Sequence, residues 1–165
     1  MMAIETPRKT ALDPMTLSPR IGSAYPAPYD AVSMDREKRS MGDAFGLTHY
    51  GVNIVHVPPG EGSAQRQWHT EQDEFVYVLE GHLTLIMDDG EQTLGPGMAM
   101  GFPAGEIDGH QLMNKTDQVA VYLEVGDRVP GDSCNYPDID LHGESKDGRS
   151  MQFAHKDGSP FEDQS

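Results

Sequence analysis

Short apolar runs recur about every ten residues between positions 47 and 126, and turn residues separate them. The runs are rich in Val, Ile, Tyr and Phe, whereas the segments PPGEG, DDG, GPG, PAG and KTD supply Gly, Pro or Asp where the chain must reverse. No run has a helical period. Short strands without intervening helices predict an all-β, antiparallel jelly-roll barrel. The candidate strands are THYGVNIVHV, AQRQWH, EFVYVLE, HLTLIMD, QTL, MAMGF, GHQLMN and VAVYLEV.

The composition changes on both sides of this region. Residues 1–46 begin with closely spaced prolines that leave no apolar periodicity, so we predict an N-terminal proline-rich arm. Residues 47–126 form the predicted barrel. Residues 127–165 are polar, but YPDIDL and MQFAH carry apolar side chains that a disordered tail does not need. We therefore predict a C-terminal tail that packs on the barrel or on a partner subunit.

The charge of the chain excludes several classes of partner. The 165 residues suit one domain, and their formal net charge is −15, from 27 acidic and 12 basic residues. No Lys or Arg occurs from Gln67 to Asn114. Phosphate backbones and anionic membrane surfaces would therefore repel this protein, and we predict neither a nucleic-acid nor a membrane partner.

The number of cysteines and the length of the apolar runs indicate the cellular compartment of the protein. A single cysteine, Cys134, excludes an intrachain disulfide framework, and MMAIETPRKTALDPMTL lacks the apolar core of a signal peptide. No run approaches the ~20 apolar residues of a membrane helix. We therefore expect a cytoplasmic protein.

The segment RQWHTEQDEFVYVLEG carries the densest group of possible metal ligands. Gln67 and His69 share one face of a strand because they are two residues apart, and the short turn TEQD brings Glu74 back beside His69. Downstream, His110 begins the candidate strand GHQLMN. Two imidazoles and one carboxylate inside a barrel suit Mn(II), Fe(II), Ni(II) or Zn(II) and leave positions for water or substrate.

The same residues resemble the two motifs of the cupin superfamily, whose fold is a double-stranded β-helix. In GSAQRQWHTEQDEFVYVLEG, the positions His69, Glu74 and Gly81 fall in the register of the first motif, while Gln67 stands where that motif has histidine. The second motif matches GMAMGFPAGEIDGHQLMN with two extra residues before His110. Asp108 therefore occupies the strict histidine position, although a bulge of two residues would return His110 to the same face.

The resemblance implies a metal site of His69, Glu74 and His110, with Gln67 as a further oxygen ligand or merely a partner of water. Either Asp108 or His110 would be the ligand of the second motif, and the other would orient it. Trp68 has the opposite parity to His69, so we expect it on the outer face, covered by the arm or by a second subunit.

The resemblance also implies a function of one of three kinds. We expect a homodimeric cupin that presents a divalent metal ion to a small polar metabolite, with isomerase or oxygenase chemistry. Isomerisation requires a base, for which Glu80 or Asp108 would have to face the pocket. The alternative is a non-catalytic binding protein in which Gln67 marks the loss of the metal. Similar small cupins include some named sugar-phosphate isomerases, yet only Arg66, Lys115 and outlying arginines could hold a phosphate here.

Overall fold

The computed structural model describes residues 10–162, and these form a nearly all-β protein. One short helix, α1 (Met41–Ala44), and two 3-10 turns (Pro14–Thr16 and Tyr29–Ser33) interrupt the strands. The strands are β1 (Arg20–Ile21), β2 (Glu37–Ser40), β3 (Tyr50–Val57), β4 (Trp68–His69), β5 (Glu74–Glu80), β6 (Leu83–Met87), β7 (Gly90–Leu94), β8 (Ala99–Phe102), β9 (Gln111–Met113), β10 (Ala120–Asp127), β11 (Asp132–Asn135), β12 (His142–Ser145) and β13 (Gln152–Ala154).

These strands form three antiparallel sheets. The largest has the order β1-β2-β3-β10-β5-β8, a second has the order β13-β12-β11-β4, and a third has the order β7-β6-β9. The prediction of an all-β jelly-roll fold is confirmed, and every candidate strand of the sequence overlaps an observed strand.

The barrel core lies between the largest sheet and the three-stranded sheet. Its centre consists of buried aliphatic side chains that alternate along the strands, as expected for strands with one inner face. Gly81 closes the turn after β5 with φ of 70°, and a Cβ at this position would lie 2.9 Å from the carbonyl oxygen of Val119. Only glycine fits both constraints, which explains its place in the first motif.

The predicted arm and tail both contribute strands. β2 pairs with β3 and places Lys38 opposite Val55, so residues of the arm extend the largest sheet. In the tail, β11 pairs with β4 and places Cys134 opposite His69. Residues 1–9 of the arm and 163–165 of the tail lie outside the described residues.

A second, smaller core joins the arm to the tail. Cys134, Tyr136 and Leu141 form its buried centre, and Tyr25 and Phe153 pack against it. Within the described residues, none of the helices is both long enough and apolar enough to span a membrane.

Candidate metal centre

His69 is held by a carboxylate from the far end of the chain. Its Nδ1 lies 2.6 Å from Oδ2 of Asp132, which is fully buried on β11 and whose Oδ1 accepts a hydrogen bond from the Glu71 amide at 2.9 Å. Burial alone would raise the pKa of Asp132, but the bonds from His69 and Glu71 lower it below its usual value. The carboxylate therefore fixes the imidazole and leaves Nε2 facing the barrel interior.

Glu74 begins β5, and its Oε2 atom lies close to the imidazoles of both His69 and His110. This atom is 2.8 Å from Nε2 of His110 and 3.6 Å from Nε2 of His69. Although the first distance is short, Glu74 Oε2 is buried and, among residues 10–162, has no partner at hydrogen-bonding geometry. Burial would raise the pKa of Glu74, yet the two neighbouring imidazoles lower it to about 2, so the side chain is a carboxylate at neutral pH.

His110 reaches the site despite the two extra residues before it. Its amide donates to the carbonyl oxygen of Gln67 at 2.8 Å, and its ring stacks on Phe102 with centroids 3.6 Å apart. Asp108 instead accepts a hydrogen bond from the amide of Asp88 at 2.8 Å. Of the two candidates from the second motif, the structure therefore brings His110, and not Asp108, to Glu74 and His69.

The charge state of His69 depends on the same contacts. Burial would lower its pKa, but the hydrogen bond to Asp132 and the neighbouring Cys134 and Glu74 raise the pKa to about 11. Without another cation in the site, the imidazole is therefore protonated and placed between two carboxylates.

The spacing of these side chains suits a metal ion. Within residues 10–162, no group of three or more His, Cys, Asp and Glu side chains is already arranged as a metal site. Ligands of an octahedral or tetrahedral divalent ion stand about 3 Å from one another. The distances of 2.8 and 3.6 Å from Glu74 Oε2 bracket that spacing, and no described residue forms a hydrogen bond with this buried atom. The donor set of His69, Glu74 and His110 therefore fits a divalent cation.

Gln67 lies near His69, Glu74 and His110, but its side-chain oxygen already accepts hydrogen bonds from other residues. Oε1 accepts hydrogen bonds from the hydroxyl of Tyr25 and from Sγ of Cys134, each at 3.1 Å. An amide oxygen has two lone pairs, and these two donors use both of them. Burial also raises the pKa of Cys134, which keeps the thiol protonated as a donor.

A cavity of about 730 Å³ opens beside these side chains. Its lining includes His69, Glu74, His110 and Gln67 from the barrel, together with side chains from the arm and from the tail. A space of this volume accommodates a small metabolite.

Two residues that sequence reasoning proposed as bases do not line this cavity. Glu80 is exposed on β5, and Asp108 lines a much smaller pocket that His69, Glu74 and His110 also border. Glu124 and Asp127 of β10 line the large cavity instead. Glu124 Oε1 accepts a hydrogen bond from Asn53, and its Oε2 accepts one from the Tyr122 hydroxyl at 3.2 Å. Glu124 has the inward parity of Tyr122, so the pattern of VAVYLEV could have identified it.

Asp132, Lys38 and Arg36 had no local signal in the sequence. They come from the tail and the arm, and long-range strand pairing brings them to the site. Trp68 lies beside a pocket lined by residues of the tail, including Pro137 and Leu141. The tail, rather than the predicted arm, therefore contributes the neighbours of Trp68.

Comparison with known proteins agrees with this fold. The cupin domain family profile matches residues 53–126. A cupin-superfamily sugar phosphate isomerase from Silicibacter pomeroyi is 43% identical, covers 92% of this chain and 96% of its own, and superposes with a TM-score of 0.86. The chain belongs to the cupin superfamily.

Two further structures extend the comparison. A candidate sugar phosphate isomerase from Acidithiobacillus ferrooxidans is 30% identical over 73% of this cupin and 76% of its own chain, with a TM-score of 0.67. The polyketide cyclase RemF from Streptomyces resistomycificus is 20% identical over 73% of this chain and 80% of its own, with a TM-score of 0.60, and shares the fold alone. No protein of curated function matches the chain.

Proposed function

We propose that this cupin binds a divalent metal ion, Mn, Fe, Ni or Zn, through His69, Glu74 and His110 and isomerises a sugar or sugar phosphate. The observation that carries the proposal is the buried Glu74 Oε2, which has no hydrogen-bond partner in the described part of the chain and lies 2.8 and 3.6 Å from the two imidazole Nε2 atoms. The similarity to the Silicibacter pomeroyi sugar phosphate isomerase supports the substrate class. A bound ion would polarise a substrate carbonyl or hydroxyl.

Asp132 holds the His69 ring by its Nδ1, which keeps Nε2 available within the cavity. Phe102 stacks on His110 and limits rotation of that ring. Both imidazoles are thus oriented before a ligand enters, which lowers the cost of assembling the site.

Glu124 is the proposed base. Burial would raise its pKa, but the charge and hydrogen bond of Lys38 lower it, so the side chain is an ionised carboxylate at neutral pH. In an aldose–ketose isomerisation, one carboxylate oxygen takes a proton from the carbon beside the carbonyl and returns it to the former carbonyl carbon, while the hydroxyl proton moves to the former carbonyl oxygen. The Tyr122 hydroxyl and the Asn53 amide hold Glu124 in position.

Elemental analysis of the purified protein tests the metal part. We expect a transition metal to co-purify with the wild type or to load stoichiometrically, and to be lost from His69→Ala and Glu74→Gln. Glu80→Gln is the matched control because Glu80 is exposed on the same strand. Wild-type protein that takes up no transition metal would contradict the proposal.

Proton NMR in deuterated water tests the isomerase part. We expect solvent deuterium to appear at the carbon beside the carbonyl of an aldose or aldose phosphate, and this exchange to be lost in Glu124→Gln. Metal-loaded protein that binds sugars without exchange would instead identify the non-catalytic alternative. Consumption of dioxygen with a redox metal would identify the oxygenase.

A further inference from the structure

We propose that Arg20, Arg36 and Lys38 form an oxyanion-binding subsite at the arm side of the cavity, for a phosphate or carboxylate group of the ligand. This inference rests on the proposed function in that it concerns the same cavity, but it requires no metal ion. All three cations lie in the segment that the sequence predicts as an arm, outside the residues matched to the cupin domain.

The distribution of charge is the first argument. The chain has a net charge of −15 and only 12 Lys and Arg residues, yet five of these line this cavity against four carboxylates. The cations are Arg20, Arg36, Lys38, Arg128 and Arg149, and the carboxylates are Asp43, Glu74, Glu124 and Asp127. A strongly acidic protein with cations concentrated in one cavity attracts anions to that cavity.

The five cations differ in their partners. Arg128 and Arg149 share one carboxylate, that of Asp43, at 2.6 and 3.0 Å. Among the described residues, no carboxylate lies within ion-pair distance of Arg20 or Arg36. The two cavity cations without any carboxylate partner among the described residues, Arg20 and Arg36, therefore both lie on the arm side of the cavity.

Arg36 is the most informative of these side chains. It is only 4% exposed, its guanidinium donates to the carbonyl oxygens of Gly22 and Ser63, and its Nε has no hydrogen-bond partner in the described structure. Burying a guanidinium is costly when only neutral carbonyls compensate it. A bound oxyanion would supply the missing negative charge.

Strand pairing places the other two cations side by side. Arg20 of β1 lies directly opposite Lys38 of β2, and like charges at such positions repel. Lys38 also forms an ion pair with Glu124, but Arg20 has no such partner in the described residues. Burial and the nearby Arg36 lower the pKa of Arg20, although this side chain remains partly exposed to solvent. An oxyanion between Arg20 and Arg36 would offset this repulsion.

The position of the subsite also predicts the shape of the ligand. Glu124 is the ion-pair partner of Lys38 and lies on β10, directly opposite Val76 in the middle of the sheet, while Glu74 begins the neighbouring β5. The subsite and the candidate metal centre are thus on two sides of the proposed base. A ligand that spans them carries its oxyanion at one end and its carbonyl or hydroxyl groups at the other.

Titration calorimetry with inorganic phosphate and with acetate, on chelator-treated protein, tests the subsite directly. We expect phosphate, acetate or both to bind, and Arg20→Gln to weaken that binding about tenfold, since a charge-assisted bond is lost. The stronger of the two anions identifies the source of the oxyanion. Arg36→Gln should weaken binding at least as much, with Arg36→Lys retaining part of it.

The control is Lys115→Gln, which removes one positive charge outside the cavity, where Lys115 pairs with Glu91 and is 51% exposed. Its binding of both anions should equal that of the wild type. If Arg36→Gln does not fold, Arg20→Gln decides, because Arg20 makes no side-chain hydrogen bond in the described structure. Equal binding by wild type and Arg20→Gln, or an equal loss in Lys115→Gln, would overturn the subsite.

The metal centre and the oxyanion subsite can be disproved independently of each other. The subsite predicts anion binding to metal-free protein, so failure to load a metal leaves that result unchanged. Conversely, Arg20→Gln should take up as much metal as the wild type, because Arg20 does not contact His69, Glu74 or His110. Normal metal uptake without anion binding would remove the subsite and leave the metal centre in place.

Discussion

Asp132 lies 2.6 Å from Nδ1 of His69, although 63 residues separate the two in sequence. The pairing of β11 with β4 creates this contact, so the tail of the chain orients a candidate ligand in the barrel. Removal of the Asp132 carboxylate should therefore affect metal binding, although it changes none of the candidate ligand atoms.

We expect Asp132→Asn to weaken the binding of a divalent metal about 10- to 100-fold, because a ligand histidine loses the partner that orients it. Competition with a chromophoric chelator measures this affinity. Asp138→Asn is the matched control. Asp138 does not line the cavity, and its carboxylate forms an ion pair with Arg66 at 2.7 Å. An unchanged affinity in Asp132→Asn would show that His69 is oriented without Asp132 or does not ligate.

Gln67 provides a test of the number of ligands. Because Tyr25 and Cys134 use both lone pairs of its oxygen, we expect Gln67→Leu to change metal affinity less than about threefold. The same variant should lower the free energy of unfolding by about 1 to 3 kcal/mol, since two buried donors lose their acceptor. A loss of metal affinity as large as that of His110→Ala would instead make Gln67 a fourth ligand.

The pH dependence of stability follows from the pKa values of the same cluster in metal-free protein. The pKa of His69 is raised from 6.5 to about 11, so its stabilising contribution is complete below pH 6.5 and is lost as pH rises toward 11. The pKa of Glu74 is lowered from 4.5 to about 2, so its contribution is complete above pH 4.5 and is lost as pH falls toward 2.

We therefore expect the contribution of the cluster to be largest between about pH 4.5 and 6.5. Urea unfolding of wild type and Asp132→Asn across the pH range measures it as a difference, which cancels the titration of distant groups. The difference between the two proteins should shrink as pH rises from 6.5. A difference that is constant from pH 6.5 to 10 would contradict the raised pKa of His69.

The sequence predicts the strands of the barrel better than it predicts the residues of the site. Alternation and turn residues predicted the barrel strands, because both are local consequences of a sheet with one buried face. Parity placed His69 and Glu74 together, and the second motif supplied His110. Asp132 and Lys38 could not be predicted, since only pairing between distant strands brings them to the cavity.

Asn114 ends the second motif, and the structure gives it a purely structural role. Asn114 is fully buried. Its side-chain NH2 group donates to the carbonyl oxygens of Val57 and Gln118. Its side-chain oxygen accepts hydrogen bonds from the backbone amide and the hydroxyl of Thr116. We expect Asn114→Ala to lower the free energy of unfolding by about 3 kcal/mol in urea titrations. Gln118→Ala, whose exposed side chain lacks these bonds, should change it by less than about 0.5 kcal/mol.

Dimerisation remains a prediction, and the outer face of the largest sheet is the surface we expect to mediate it. The face is a row of neighbouring apolar side chains on three paired strands, namely Val52, Ile54, Phe75, Tyr77, Leu79, Leu123 and Val125. Phe75, Tyr77 and Leu79 are 42%, 38% and 39% exposed. Contiguous apolar patches of this kind are typical of surfaces that bind another protein.

Sedimentation velocity should therefore give a dimeric mass for the wild type, and a monomeric mass for Leu79→Glu, because a buried, unpaired carboxylate opposes association. Ile107→Glu is the matched control, since Ile107 is 74% exposed but lies in the turn between β8 and β9, outside this row. It should remain dimeric. A monomeric wild type would show that the row is covered in another way, and a dimeric Leu79→Glu would place the interface elsewhere.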